Sequence, residues 1–238
     1  MVRYSVVLPV FNEEESVEPV IRELLGTMLG LKASFEVVLV NDASTDASLE
    51  RIKAACGTHP ECRCLSFKQN RGQSAALYAG FQAARGEYVI TLDADLQNDP
   101  RDIEKMIPYL GDYDMVNGWR RERNDRWIKR ISSKIANGVR NRMTGETIRD
   151  TGCSLKIMRA DLLKRIKMFK GMHRFLPTLM KMEGARVIEI PVSHRHRQFG
   201  VSKYGTWSRA VGGFRDLLAV RWMQSRFIRF ELEELGDD

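Results

Sequence analysis

Ser5-Val6-Val7-Leu8-Pro9-Val10-Phe11-Asn12-Glu13-Glu14-Glu15 is the stretch on which the fold turns. The apolar, β-branched run Ser5–Val10 reads as a buried strand. It stops at Phe11-Asn12, where Asn12 reads as the N-cap of a helix and Glu13–Glu15 suit the positive end of its dipole. The same pattern recurs downstream, with strand Phe35–Val40, a helix from about Asp46, strand Cys64–Phe67, helix Gly72–Ala84 and strand Tyr88–Leu92. Short apolar strands alternating with amphipathic helices predict βαβ units and a mostly parallel sheet. Right-handed crossovers then align the strand C-terminal ends along one edge, where open α/β sheets bind ligands.

Three polar clusters fall at such ends: Phe11–Glu14, Asn41–Asp46 and Asp93–Gln97. They are distant in sequence and expected to converge in space. Asp93-Ala94-Asp95 puts two carboxylates one residue apart at a strand end, a pattern that can meet a hard divalent cation shared with diphosphate oxygens. On its own such a triplet is weak, and its place beside the other clusters gives it weight. Asp42 closes the second strand. Turn chemistry accounts for Ser44 and Asp46, while Asp42 can also accept hydrogen bonds from a ribose or a base. Asn70-Arg71-Gly72 sets a glycine at a helix start, which by itself means a tight loop. No G-x-x-x-x-G-K-[ST] phosphate loop occurs.

The chain has 238 residues, 43% hydrophobic and 29% charged, the composition of a globular domain rather than a disordered one. Its formal charge is +7 and unevenly spread. Nine Lys/Arg face only Glu122 and Asp125 between Arg120 and Arg142, and eight face only Asp216 between His194 and Phe230. Two basic runs favour an acidic substrate or lipid surface. Arg126, Arg130 and Lys134 beside Ile128, Ile131, Ile135 and Val139 read as a basic amphipathic helix, and Gly205–Leu232 as a second one rich in Trp, Phe and Arg. The four cysteines match no zinc pattern, no secretory signal is visible, and no stretch reaches the roughly 18–20 apolar residues of a membrane span. A cytoplasmic protein bound peripherally to the membrane's cytoplasmic face is the expectation. Charge alone would also allow a nucleic-acid binder, but no nucleic-acid motif is present.

Val7-Leu8-Pro9-Val10-Phe11-Asn12-Glu13-Glu14, Val40-Asn41-Asp42-Ala43-Ser44, Asn70-Arg71-Gly72 and Asp93-Ala94-Asp95-Leu96-Gln97 together resemble glycosyltransferase family 2. Within it the chain is similar to the dolichol-phosphate mannosyltransferase and polyprenyl-phosphate glycosyltransferase group. The resemblance implies a GT-A-type, Rossmann-like catalytic domain over residues 1–204, followed by a C-terminal amphipathic basic segment, 205–238. It implies nucleotide-sugar contacts from Pro9, Phe11, Glu13 and Asp42, and contacts from Asp93, Asp95 and Gln97 to a divalent metal, Mg²⁺ or Mn²⁺. Gly118-Trp119-Arg120 stands where the group often has Gly-Ser-Arg, so Arg120 is expected at the acceptor phosphate despite the Trp. Trp127, Arg130 and Ser133 match a second acceptor-phosphate segment. Arg197, Ser202 and Lys203 match a late R-x-x-G-x-S-K loop that closes over the donor diphosphate in relatives. Asp93, Asp95, Arg120 and Arg130 are thus the expected catalytic set, with Asp150 helping to shape the acceptor pocket.

Processive polymer synthases of the family carry a Glu-Asp pair and Gln-x-x-Arg-Trp. Here no Glu-Asp dipeptide occurs, and Leu218 stands where the Gln would precede Arg221-Trp222. A hydroxyl acceptor needs a base, whereas a lipid phosphate is already an anion and needs arginines. The resemblance therefore implies inverting transfer from a UDP- or GDP-sugar to a polyprenyl phosphate, at a membrane surface, and a small integral membrane subunit is among the partners it allows. A saccharide or other hydroxyl acceptor, and a non-catalytic nucleotide-sugar-binding subunit, are the alternatives.

Overall fold

The computed structural model describes residues 1–120, 138–196 and 206–228. Seven strands form one sheet: β1 (Tyr4–Val10), β2 (Phe35–Asn41), β3 (Cys62–Ser66), β4 (Tyr88–Thr91), β5 (Met115–Arg120), β6 (Lys156–Arg159) and β7 (Val187–Val192). Their order is β3-β2-β1-β4-β6-β5-β7. All neighbouring pairs are parallel except those made by β6, which runs against both β4 and β5. The helices are α1 (Val17–Gly30), α2 (Ser48–Thr58), α3 (Gln73–Ala83), α4 (Asp102–Met106), α5 (helical residues 138–144), α6 (Ala160–Leu163), α7 (Leu176–Met182) and α8 (Thr206–Arg226).

Both faces of the sheet are covered, which is why β1 reads as an unbroken apolar run. Val6, Leu8 and Val10 enter one core with α1 residues Val20, Ile21 and Leu24, while Val7 enters the other with α3 residues Leu77 and Phe81. Leu217 and Val220 of α8 belong to this second core. The opposite side of α8 leaves Phe214, Leu218 and Trp222 exposed at four-residue spacing.

The expected strands and the α3 helix lie where the sequence put them, within two residues at each end. The first helix differs. It starts at Val17 rather than at Glu13, with Ser16 and not Asn12 at the N-cap position. Asn12 adopts φ 50°, a left-handed turn in which Asn is less strained than most residues. The second helix likewise starts at Ser48, whose N–H donates to Asp46 Oδ1 at 3.0 Å.

With β6 reversed, its first residue rather than its last lies at the ligand edge. Lys156 pairs with Thr91, the last residue of β4, and with Asn117 in the middle of β5. The rim of the sheet therefore gathers the segments after β1, β2, β3, β4, β5 and β7, plus the one that leads into β6.

Candidate active site

The rim is built around Asp42. Its carboxylate is 3% exposed. Oδ1 accepts from Arg71 N–H at 2.7 Å, and Oδ2 from Gly72 N–H at 2.8 Å and Asn70 Nδ2 at 3.0 Å. Asp42 thus shapes the Asn70-Arg71-Gly72 loop, with Gly72 at φ 84° allowing the turn. The first two clusters are stitched together as well. Asn12 Oδ1 accepts from Thr45 N–H at 2.8 Å, Asn12 N–H donates to Ser44 Oγ at 3.0 Å, and Glu13 N–H donates to Ser48 Oγ at 2.8 Å. Pro9 in β1, Phe11 just beyond it and Glu13 are all half-buried at this edge.

The Asp93–Gln97 turn joins the same rim. Gln73, the residue after Gly72, donates from Nε2 to Asp93 Oδ1 at 2.9 Å, so the loop held by Asp42 also reaches Asp93. Asp95 is 8% exposed, and its Oδ1 accepts from Gln97 N–H at 3.1 Å. Burial and the neighbouring Asp95 charge raise the Asp93 carboxyl above its ordinary value, against the opposing pull of Ser154, Lys156 and Arg120. Two carboxylates one residue apart on a turn at the sheet rim form a pole that favours a cation. Among the described residues no group of three His, Cys, Asp or Glu side chains assembles into a metal cage. A pair of carboxylates on one turn, with Gln97 two residues on, is instead a hard-oxygen donor set of the kind that shares its cation with substrate phosphates, and these residue types fit Mg²⁺ or Mn²⁺.

The basic pole is Arg120 at the end of β5. Its Nε donates to Asp150 Oδ2 at 2.7 Å and its Nη2 to Asp150 Oδ1 at 3.0 Å, a bidentate pair with side chains 16% and 6% exposed. Burial opposes the guanidinium charge, but the Asp150 hydrogen bonds and charge outweigh it, and Arg120 stays cationic with Asp93 among the charges acting on it. Trp119, the departure from the group pattern, leaves this pole undisturbed because strand alternation turns it to the other face. There its ring carries the Arg149 guanidinium at 4.6 Å and, with Thr147, Glu189 and Pro191, lines an open hollow of about 420 Å³.

Several site residues escaped the sequence. Arg195, flanked by His194 and His196, bridges Glu23 at 2.7 Å and Asp99 at 2.8 Å, and its N–H donates to Gln97 O at 2.8 Å. It ties the end of β7 to the acidic turn. Burial would raise the Asp99 carboxyl, but hydrogen bonds from Arg101 and Arg195 outweigh it and hold it well below the usual carboxylate range. Gln73 and Lys156 are the other two. Of the expected residues, Trp127, Arg130, Ser133, Arg197, Ser202 and Lys203 lie outside the described residues, as does nearly all of the basic helix expected at 126–139.

A mostly parallel sheet with helices on both faces and paired carboxylates at its carboxyl rim defines a GT-A-type glycosyltransferase fold. Solved structures agree at the level of fold. Glucosyl-3-phosphoglycerate synthase from Mycobacterium tuberculosis, in complex with Mn²⁺, UDP and phosphoglyceric acid, superposes with a TM-score of 0.70 at 18% identity, over 95% of this chain and 80% of that one. A mannosyltransferase from Pyrobaculum calidifontis, in complex with GDP-Man and Mn²⁺, gives 0.65 at 22% identity, over 93% and 69%. The chain belongs to glycosyltransferase family 2, whose model, Glycosyl transferase family 2, matches residues 5–167. It is 40% identical over 233 residues to the dodecaprenyl-phosphate galacturonate synthase of Rhizobium johnstonii, covering 95% of this chain and 68% of that protein. It is 38% identical over 204 residues to the undecaprenyl-phosphate 4-deoxy-4-formamido-L-arabinose transferase of Edwardsiella ictaluri, covering 84% and 62%. The chain thus spans about two thirds of the length of these relatives.

Proposed function

We propose that this chain transfers one sugar, with inversion, from a nucleotide-diphosphate sugar to a polyprenyl phosphate at a membrane surface. One observation carries the reading: an acidic pole, Asp93 and Asp95, and a cationic pole, Arg120, share one rim, joined by the 150–154 segment in which Asp150 clamps Arg120 and Ser154 Oγ donates to Asn98 of the acidic turn. The names of the two relatives support a polyprenyl-phosphate acceptor.

Pro9, Phe11, Glu13 and Asp42 hold the nucleotide, Asp42 through the 70–72 loop it shapes. Asp93 and Asp95, with Gln97, hold the divalent ion, which when bound offsets the negative charge of the departing diphosphate. Arg120, with Arg130 and Ser133, orients the acceptor phosphate behind the anomeric carbon, in line with the leaving oxygen. A phosphate oxygen bonds to that carbon as the carbon–oxygen bond to the diphosphate breaks, so configuration inverts and the electron pair leaves with the nucleoside diphosphate. The acceptor is already ionised near neutral pH, so no side chain has to remove a proton. Arg197, Ser202 and Lys203 cover the donor.

Among the described residues no helix is long and apolar enough to cross a membrane. The exposed Phe214, Leu218 and Trp222, beside exposed Arg215 and Arg221, suit the lipid interface, with the arginines toward anionic headgroups. The test is a panel of UDP- and GDP-sugars with Mn²⁺ or Mg²⁺ and a short polyprenyl phosphate, read by the mass of the lipid product. A sugar-phosphate-lipid from one donor, dependent on the metal, is expected. Sugar appearing only on a hydroxyl acceptor, or no transfer at all, overturns the reading.

A further inference from the structure

Lys156 opens β6 between Thr91 of β4 and Asn117 of β5. It is 2% exposed, a burial that lysines reach only when held. Among the described residues its ammonium donates to two backbone carbonyls, Thr151 O at 3.3 Å and Cys153 O, and to no carboxylate. A methionine would fill the same volume without taking a charge out of water, so filling space does not account for a lysine here.

The two carbonyls belong to the segment 150–154, and nearly every side chain in it is engaged at the rim. Asp150 clamps Arg120. The Thr151 hydroxyl accepts from Arg140 Nη1. Cys153 Sγ accepts from Asn98 Nδ2 at 3.8 Å, and Ser154 Oγ donates to Asn98 Oδ1 at 2.6 Å. The Ser154 carbonyl also accepts from Thr91 Oγ1 at 2.5 Å, at the end of the strand that leads into the acidic turn. One end of this short segment thus fixes the cationic pole and the other fixes the acidic turn. Lys156 draws the carbonyls between them inward.

We infer that Lys156 is a positioning residue that couples the two poles, by fixing through its ammonium the 150–154 segment that holds Arg120 at one end and the Asp93–Asn98 turn at the other. It touches no reacting atom. The inference rests on the function proposed above and adds a specific claim: donor-side and acceptor-side binding are linked through one buried cation.

The chain carrying Lys156→Met, Lys156→Arg or Ser154→Ala is compared with the unsubstituted chain in three ways. These are thermal melting, Mn²⁺ binding without substrates from the loss of the free-ion resonance signal, and separate kcat and KM values for donor and short polyprenyl phosphate. Lys156→Met is expected to melt cooperatively, to weaken Mn²⁺ binding about 5-fold or more, and to lower kcat/KM for the acceptor by about 100-fold, as misplacement of an orienting group does. Lys156→Arg, keeping charge and donors, should recover at least about a tenth of wild-type kcat/KM. Ser154→Ala, which cuts one end only, should weaken Mn²⁺ while leaving the acceptor KM within about twofold. A folded Lys156→Met with wild-type KM values and Mn²⁺ affinity, differing only in active fraction, reduces the lysine to a structural filler and overturns the inference. Where Lys156→Met does not melt cooperatively, Lys156→Gln, which keeps a donor without the charge, decides: wild-type Mn²⁺ affinity and acceptor KM overturn the coupling, and a joint loss of both supports it. A wild-type chain with no lipid product defeats the proposed function itself, so the two failures are told apart.

Discussion

Replacing Asp150 by Asn tests the clamp on Arg120. The side chain keeps its shape but surrenders its charge and one acceptor oxygen to an NH₂ group that faces a guanidinium. In the native pair both partners are mostly buried, at 6% and 16% exposure, and the contacts are 2.7 and 3.0 Å. Breaking a buried ion pair outright costs about 3–5 kcal/mol. Because Asn retains one acceptor, which can still receive Arg120 Nε or Gly152 N–H, about 2–3 kcal/mol is the reasoned loss. For a chain of this size that corresponds to a fall in Tm of about 5–10 °C by calorimetry. Arg120 then swings among several orientations, and kcat/KM for the acceptor should drop about 10–100-fold while the donor KM holds within about twofold. An unchanged Tm would refute the energetic reasoning. A donor KM that rises as much as the acceptor KM would refute the assignment of Arg120 to the acceptor.

Other outcomes follow from the same geometry. Asp95→Asn keeps the acceptor for Gln97 N–H but removes the charge that raises Asp93, so turnover should fall below about 1% while the Tm of metal-free protein does not drop. Burial alone would raise the Glu36 carboxyl, yet hydrogen bonds from Ser5 and Arg85 and the Arg63 ion pair hold it below its ordinary value of 4.5. With the folded pKa depressed, this contribution is present above the unfolded value and lost as pH falls through the folded one. Glu36→Gln should therefore lower stability by about 2–3 kcal/mol at pH 7, with the gap to wild type closing below pH 4.5 in paired denaturant melts. A gap that widens on acidification contradicts the sign. Leu218→Glu with Trp222→Glu, both on exposed positions of α8, should abolish flotation with anionic vesicles and leave Tm within about 2 °C. Unchanged flotation removes α8 as the lipid contact.

The strands β1 to β4 and helix α3 were legible because their apolar runs obey simple length and periodicity rules. The reversed strand β6 was not: Lys-Ile-Met-Arg is too short for a clear pattern, and a lysine at its start reads as a surface residue. Asn12 misled for a related reason. An Asn before three glutamates satisfies every local rule for an N-cap, yet its side chain is spent on Thr45, far along the sequence. The acidic pair and Arg120 could be picked out from motifs at strand ends. Gln73, Asp150 as a clamp, Lys156 and Arg195 could not, since each acquires its role from a partner 20 to 172 positions away or from burial that only the assembled sheet creates.

The reversal of β6 has a consequence for how such a chain can diversify. β5 and β6 are consecutive, adjacent and antiparallel, so topologically they form a hairpin whose connection, residues 121–155, joins two strand ends on the same rim of the sheet. Lengthening a connection with fixed ends adds only about 0.6 kcal/mol per doubling in closure entropy. Ahead of Asp150, insertions and deletions can accumulate there without altering any strand register or the clamped 150–154 segment. The β5–β6 side of the rim is thus the part most open to change, while the β1–β4 side, built from short βα turns, has little such freedom.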